Sequence, residues 1–198
     1  MKIYLLLLLP WLPAFATAQQ DKKLANKISY ASSYELGILA GKAYTPFTAR
    51  IIQGVRYQNY EAGIGVALDP YAFRSVPVFI HVAYHLYNGR NTPYAYGDAG
   101  ISFPWNNGAL PEKYTDPRSG QQGEDWHILH NGVYGEAGIG YKIMLNKRNA
   151  FIMNAGYSYK KFKYDEFVNI WNGNESIRIK QGYSFDYNRL VFRLGFTL

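Results

Sequence analysis

The 198-residue chain contains no cysteine. Disulfides, lipid-bearing cysteines and thiolate metal sites are therefore excluded for this sequence. Long apolar runs are nearly as scarce. Beyond the first 13 residues almost none is found, against the roughly 20 residues a helix needs to cross a bilayer. Mean hydropathy is −0.25. These features exclude a helical membrane protein. Acidic residues are outnumbered, 14 Asp and Glu against 21 Lys and Arg, for a formal charge of +7. The cations are dispersed and several alternate within strand-like segments, so they form no nucleic-acid patch. Their expected partners are outer-membrane lipid and lipopolysaccharide, with no nucleic acid.

Aromatic residues and glycine are plentiful: 19 Tyr, 11 Phe, 4 Trp and 19 Gly. The last ten residues, RLVFRLGFTL, are the most informative. Leu190, Phe192, Leu194, Phe196 and Leu198 share one face, opposite Arg189, Val191, Arg193, Gly195 and Thr197. A strand apolar on one side and cationic on the other suits lipid outside and a polar lumen inside.

The start of the chain reads as a processing segment. Lys2 provides a positive end, a short apolar stretch follows to Pro13, and Ala16-Thr17-Ala18 forms an A-x-A cleavage site. The expected organisation is a signal peptide over 1–18, a short periplasmic segment over 19–29 and a barrel domain over 30–198.

Period-two alternation predicts eight strands, at about 30–43, 47–58, 60–70, 76–88, 93–104, 131–145, 149–164 and 178–198. Every second connection is short: around Gln58–Tyr60, Asn88 to Pro93, and Asn146 to Asn149. Those between include a long loop from Pro104 to His130 and a longer one from Glu166 to Ile177. Outer-membrane barrels have short periplasmic turns and longer outer loops. The expected fold is all-β, an eight-stranded antiparallel transmembrane up-and-down β-barrel. A soluble calycin-like barrel or sandwich is the rival, with the same apolar faces turned inward.

The alternation assigns an inner face. It holds the acids Glu35, Glu61, Asp69, Asp98 and Glu136 and the cations Arg50, Arg56, Lys142, Lys160, Arg189 and Arg193. His81 and His85 lie on the same face of the fourth strand. Eight strands enclose just enough room for side chains, and unpaired ions there would be costly. A plugged, ion-paired polar core of Glu35, Arg56, Glu61, His81, His85, Asp98, Glu136, Lys142 and Arg193 is therefore expected. Tyr57, Tyr60, Tyr84, Tyr141, Tyr157 and Tyr159 are expected in interfacial girdles. Trp105, Tyr114 and Trp126 mark the long loop as a candidate contact surface, with Phe167 and Trp171 beside it.

Several stretches resemble the small outer-membrane β-barrel proteins common in Bacteroidetes. IIQGVRYQNYEAGIGVALDPY (Ile51 to Tyr71) resembles their turn between a G-x-R-F/Y strand and a G-x-G-x-G/A strand. VPVFIHVAYHLYNGRNTPYAYGDAGISF (Val76 to Phe103) and NKRNAFIMNAGYSYKKFK (Asn146 to Lys163) resemble two further hairpins, and RLVFRLGFTL their closing strand. That family varies at His81 and His85 and more often ends in Phe than in Leu198. The resemblance implies a non-enzymatic envelope or surface role, with no cofactor. It also implies barrel-insertion machinery, periplasmic chaperones and an envelope protein as partners.

Two other functions compete with this reading. A lipid A-modifying hydrolase needs a serine, a histidine to activate it and an acid to orient the ring. Such enzymes carry His-x-Ser on one strand, whereas Val82 and Ala83 follow His81, and Leu86 and Tyr87 follow His85. His127 and His130 also lack that spacing. A narrow solute channel is the other class, opposed by any ordered ion network across the lumen. Direct metal chelation by His81 and His85 is disfavoured, because four residues on a strand separate them by roughly 13 Å.

Overall fold

The computed structural model describes residues 28–42, 44–71, 74–87, 89–105, 126–146, 149–171 and 176–198. The expected signal peptide and its cleavage site lie outside them. The strands are β1 (Ser29–Ala40), β2 (Phe47–Tyr57), β3 (Tyr60–Leu68), β4 (Ser75–His85), β5 (Asn91–Pro104), β6 (Trp126–His130), β7 (Gly132–Met144), β8 (Ala150–Trp171) and β9 (Ser176–Thr197). Every pairing is antiparallel: β1 to β5 pair in chain order, β5 with β7, β7 with β8 and β8 with β9, β6 lies on β8, and β1 pairs with β9 from Ser33↔Thr197 to Ala40↔Leu190. That last ladder closes the sheet. Closure removes the open edges that hydrocarbon could not satisfy.

β6 and β7 are two halves of one barrel strand, which gives eight in all. Both pair with β8, but the register changes from His130↔Lys163 to Tyr134↔Lys160. Three residues, 131–133, thus oppose two. This is a one-residue β-bulge, which raises local twist where the strand leaves the barrel.

The start of β1, the C-terminal end of β9, Gln58–Asn59 and the strand ends flanking the β4–β5 and β7–β8 connections lie at one end of the barrel. Gln58 has φ 53°. The two-residue turn between Tyr57 and Tyr60 needs that left-handed conformation to match the strand twist.

Polarity is inverted relative to a soluble protein. Leu36, Ile64, Ile80, Ile139 and Leu194 are among the exposed side chains on the exterior, each more than half accessible. Arg50, Arg193, Glu35, Asp98 and Glu136 are all at 5% or less, inside. The soluble rival required the opposite arrangement. Tyr57, Tyr60 and Tyr84 gather outside near the terminal end, with the Tyr60 and Tyr84 rings 5.1 Å apart.

Two expectations are corrected at the opposite end. Residues 166–171 and 176–177, expected as loop, are strand: β8 and β9 pair without a break up to Trp171↔Ser176. Residues 126–130, placed in the long loop, form β6 against this extended β8. The 22-residue strands β8 and β9 exceed the 9–11 residues that cross a bilayer. Their outward positions change from Tyr157 and Leu190 to Lys161, Lys163, Asp186 and Asn188 as they leave the apolar belt. The hairpin therefore projects beyond the barrel wall, carrying β6 on one side.

A lipid-facing charge tests the inversion. Leu194→Arg is expected to destabilise the chain in a bilayer by about 2–4 kcal/mol, measured by denaturant titration in lipid vesicles. An exposed surface site on a soluble protein would change by within about 0.5 kcal/mol.

Candidate functional site

The alternating strands turn titratable side chains from β1, β2, β4, β5, β7 and β9 into one central layer. Arg50 is its hub. Its Nε donates to Glu35 Oε2 at 2.8 Å, and its Nη1 donates to Asp98 Oδ2 at 2.7 Å and Glu136 Oε1 at 3.2 Å. Arg193 grips Glu136 with both guanidinium nitrogens, Nη1 to Oε1 and Nη2 to Oε2, the latter at 2.8 Å. His81 Nδ1 lies 2.6 Å from Asp98 Oδ1. The register explains the assembly: Glu35 is directly opposite Arg50, His81 opposite Asp98, and Asp98 opposite Glu136.

Phenols and an amide complete the acceptors. Tyr96 Oη and Tyr134 Oη donate to Glu136 at 3.0 and 2.8 Å, and Asn154 Nδ2 donates to Glu35 at 2.8 Å. Tyr94 Oη donates to Asn154 Oδ1 at 2.5 Å. Burying charge is costly unless such bonds satisfy each ion. Tyr96 reaches Glu136 only because Gly138 and Gly156 sit beneath its hydroxyl. A Cβ on either would come within 2.8 or 2.5 Å of that oxygen.

A second cluster lies toward the projecting hairpin. Asp69 Oδ2 accepts from Arg189 Nη1 at 2.5 Å and lies 3.2 Å from Lys160 Nζ. Lys160 also donates to Ser75 Oγ and Tyr71 O, and Arg189 to Ser158 Oγ. Leu39, Tyr71 and Val191 pack here as an apolar cluster. A third group lies toward the terminal end: His85 Nε2 is 3.3 Å from Glu61 Oε2, with Arg56 and Lys142 also half-buried on the inner face. A cavity of about 20 Å³, lined in part by Ser33, Glu61, His85 and Lys142, separates this group from the centre. It has room for about one water.

The structure thus brings Glu35, His81, Asp98, Glu136 and Arg193 together and sets Arg56, Glu61, His85 and Lys142 apart, nearer the mouth. Arg50 is the residue whose importance sequence reasoning missed: it was placed on the inner face but not in the core set. Its position across from Glu35 in two adjacent strands was the available signal. Trp105 is exposed at the end of β5, and Trp126 begins β6. Tyr114 lies outside the described residues. The described histidine rings bond to carboxylates, His81 to Asp98, His85 to Glu61 and His130 to Asp165. Among the described residues no histidine bonds to a serine hydroxyl, and no group of three or more His, Cys, Asp or Glu could hold a metal.

No family model matches this chain, and no curated protein matches it. Solved structures do. The crystal structure of Neisserial surface protein A, NspA, superposes with a TM-score of 0.50 at 12% identity, over 87% of this chain and 98% of that one. The chain folds as a small transmembrane β-barrel. The outer membrane protein AlkL, solved by solid-state NMR in DMPC bilayers, is also similar, with a TM-score of 0.47 at 13% identity over 90% and 93% of the two chains.

Two substitutions test the site. Glu136→Ala leaves two buried guanidinium groups short of their carboxylate and is expected to cost about 3–5 kcal/mol, whereas Lys142→Ala at the half-exposed mouth should cost within about 1 kcal/mol. Both are read as unfolding free energies by guanidinium titration in detergent. Gly156→Val should displace the Tyr96 hydroxyl and cost about 1–3 kcal/mol by overpacking, read in the same titration.

Proposed function

We propose that this protein is an outer-membrane barrel that is closed to solute and serves the envelope through its structure and outer surface. The central ion network carries this reading. Arg50 and Arg193 tie carboxylates from β1, β5 and β7 across the lumen, and those side chains are at most 2% exposed. A conduit would have to break several charge-assisted bonds to pass a solute. A surface role accords with the name of the similar Neisserial protein and with the hairpin that projects from one end.

In this reading the signal peptide is removed after Ala18, and the terminal end of the barrel faces the periplasm. Lipopolysaccharide and outer-membrane lipid surround the apolar belt. Periplasmic chaperones and the barrel-insertion machinery deliver the chain, and the relatives are the small barrels of Bacteroidetes that its hairpins resemble. The non-enzymatic reading is favoured over lipid A hydrolysis because His81 and His85 each have a carboxylate partner but, among the described residues, no serine hydroxyl bonded to the ring for it to activate.

Planar-bilayer recording of the refolded protein tests the closed lumen. No discrete conductance steps are expected. Steps of stable amplitude that respond to Arg193→Ala would overturn the reading and restore the channel.

A further inference from the structure

The outward side of β8 and β9 changes chemistry at one height. On β8 the outward residues run Phe151, Met153, Ala155, Tyr157 and Tyr159, then Lys161 and Lys163. On β9 they run Phe196, Leu194, Phe192 and Leu190, then Asn188, Asp186 and Ser184. From Phe151 to Tyr159 the strand covers about 27 Å, or roughly 20 Å of height at a tilt of about 40°. Tyr159 therefore stands near the upper edge of an apolar band about 25 Å tall. Lys161 and Lys163 are about 5 and 10 Å higher, against a headgroup layer roughly 5–8 Å deep on each side of the bilayer. Outward side chains at this height meet the headgroups of the surrounding leaflet.

The charges there are uneven. Lys161 Nζ is 4.0 Å from Asp186 Oδ1, which also accepts from Tyr159 Oη at 2.7 Å. Lys163 is exposed and makes no side-chain hydrogen bond or ion pair among the described residues. Lys42 is exposed at the same rim, two residues beyond Ala40, whose partner on β9 is Leu190. Three cations thus face one carboxylate, and that carboxylate is already engaged within the protein. Ser184, opposite Lys163, and Asn188, opposite Tyr159, are exposed and keep unspent side-chain donors among the described residues. Lys180 differs. Its Nζ is 2.9 Å from Asp165 Oδ2, and it stands about 27 Å along the strand beyond the level of Tyr159, above the headgroups.

The other end of the barrel is built differently. At the corresponding level Tyr57, Tyr60 and Tyr84 are outside, and Arg56 and Lys142 turn into the lumen. An anion recognised from outside therefore belongs to the hairpin end. Lysine ammonium groups bind phosphate as point charges, and neutral donors beside them satisfy further phosphate oxygens. Just below, Tyr157 and Leu190 are 52% and 53% exposed, an apolar surface for the acyl chains of the same molecule.

We propose that Lys161 and Lys163, with Ser184 and Asn188 beside them, bind a phosphate group of lipid A in the outer leaflet. This rests on the outer-membrane reading, which makes a phosphorylated glycolipid the surrounding lipid. The phosphate sits between two ammonium groups whose residues are about 7 Å apart along the strand. The acyl chains run down over Tyr157 and Leu190. The site fixes one lipid at one place on the barrel wall, beside the root of the projecting hairpin.

Native mass spectrometry of the refolded full chain, released from detergent micelles containing diphosphoryl lipid A, gives the apparent affinity of the first lipid bound. Lys161→Gln and Lys163→Gln should each weaken it about five-fold, and the double variant about twenty-five-fold. Lys180→Gln removes the same charge above the headgroups and should leave it unchanged. Lipid A stripped of its phosphates should bind the wild type as weakly as intact lipid A binds the double variant. An excess of inorganic phosphate should leave the lipid bound. Equal loss at all three lysines would reduce the effect to net charge and overturn the site. Unchanged binding by the double variant, or equal binding of the stripped lipid, would overturn it too. Displacement by inorganic phosphate would make this a site for the free anion and overturn the lipid assignment. Gel mobility with and without boiling is read on the same samples. A retained shift with unchanged lipid A binding in the double variant sinks this site alone, whereas a wild type without the shift sinks the outer-membrane reading.

Discussion

The structure depends on the contact between Arg50, Arg193 and Glu136 at the middle of the barrel. A closed eight-stranded sheet facing lipid has only small apolar clusters inside, such as Leu39, Tyr71 and Val191, because most of its apolar side chains are on the outside. Much of what fills the inside is polar, and in so narrow a space it has to be paired. Each charge is brought by a different strand, so the ions join positions distant in the sequence and across the ring. Arg193 on the closing strand and Glu136 on β7 are joined in this way. The network is also the feature that most directly opposes passage of solute.

Glycine and tyrosine serve that core rather than the strands in which they occur. Glycine normally weakens a strand. Here Gly138 and Gly156 leave the space that Tyr96 occupies, and Tyr96 supplies a hydrogen bond to Glu136. Tyr134 does the same from the adjoining position on Glu136's own strand. The aromatic richness of the composition therefore divides into two uses, an outer set such as Tyr60 and Tyr84 at the belt and an inner set of hydrogen-bond donors.

Much of the barrel was legible because a period of two fixes both strand and face. RLVFRLGFTL is apolar and polar by turns, and its Arg193 and Leu194 lie on the sides that alternation assigns. The outer end was less legible. Residues 166–171 and 176–177 read locally as loop, yet they continue the β8–β9 ladder to Trp171↔Ser176, a pairing set by the partner strand and not by local sequence. Extended β8 then gives residues 126–130 a partner, which local sequence alone cannot reveal. The core ions were assigned to the right face, but which of them meet depends on register. Arg50 emerges as the hub because Glu35 is opposite it, and because the ring curvature brings Asp98 and Glu136 to the same guanidinium. Periodicity carries no information on such cross-barrel distances.

The two ends of the molecule differ in build. The terminal end has short turns and half-buried mouth charges, whereas the other end extends its sheet past the belt and changes from apolar to charged on its outward face. That asymmetry distinguishes one end of the barrel from the other.

The central claim is that the apolar face is outward and the ions are the core. The most direct measurement is the SDS-gel mobility of the mature chain with and without boiling, after refolding in detergent and in plain buffer, alongside far-UV circular dichroism. The account predicts a β spectrum and a mobility shift on boiling only for the detergent-refolded sample. A soluble β protein formed in plain buffer, with no mobility shift in either condition, would contradict it.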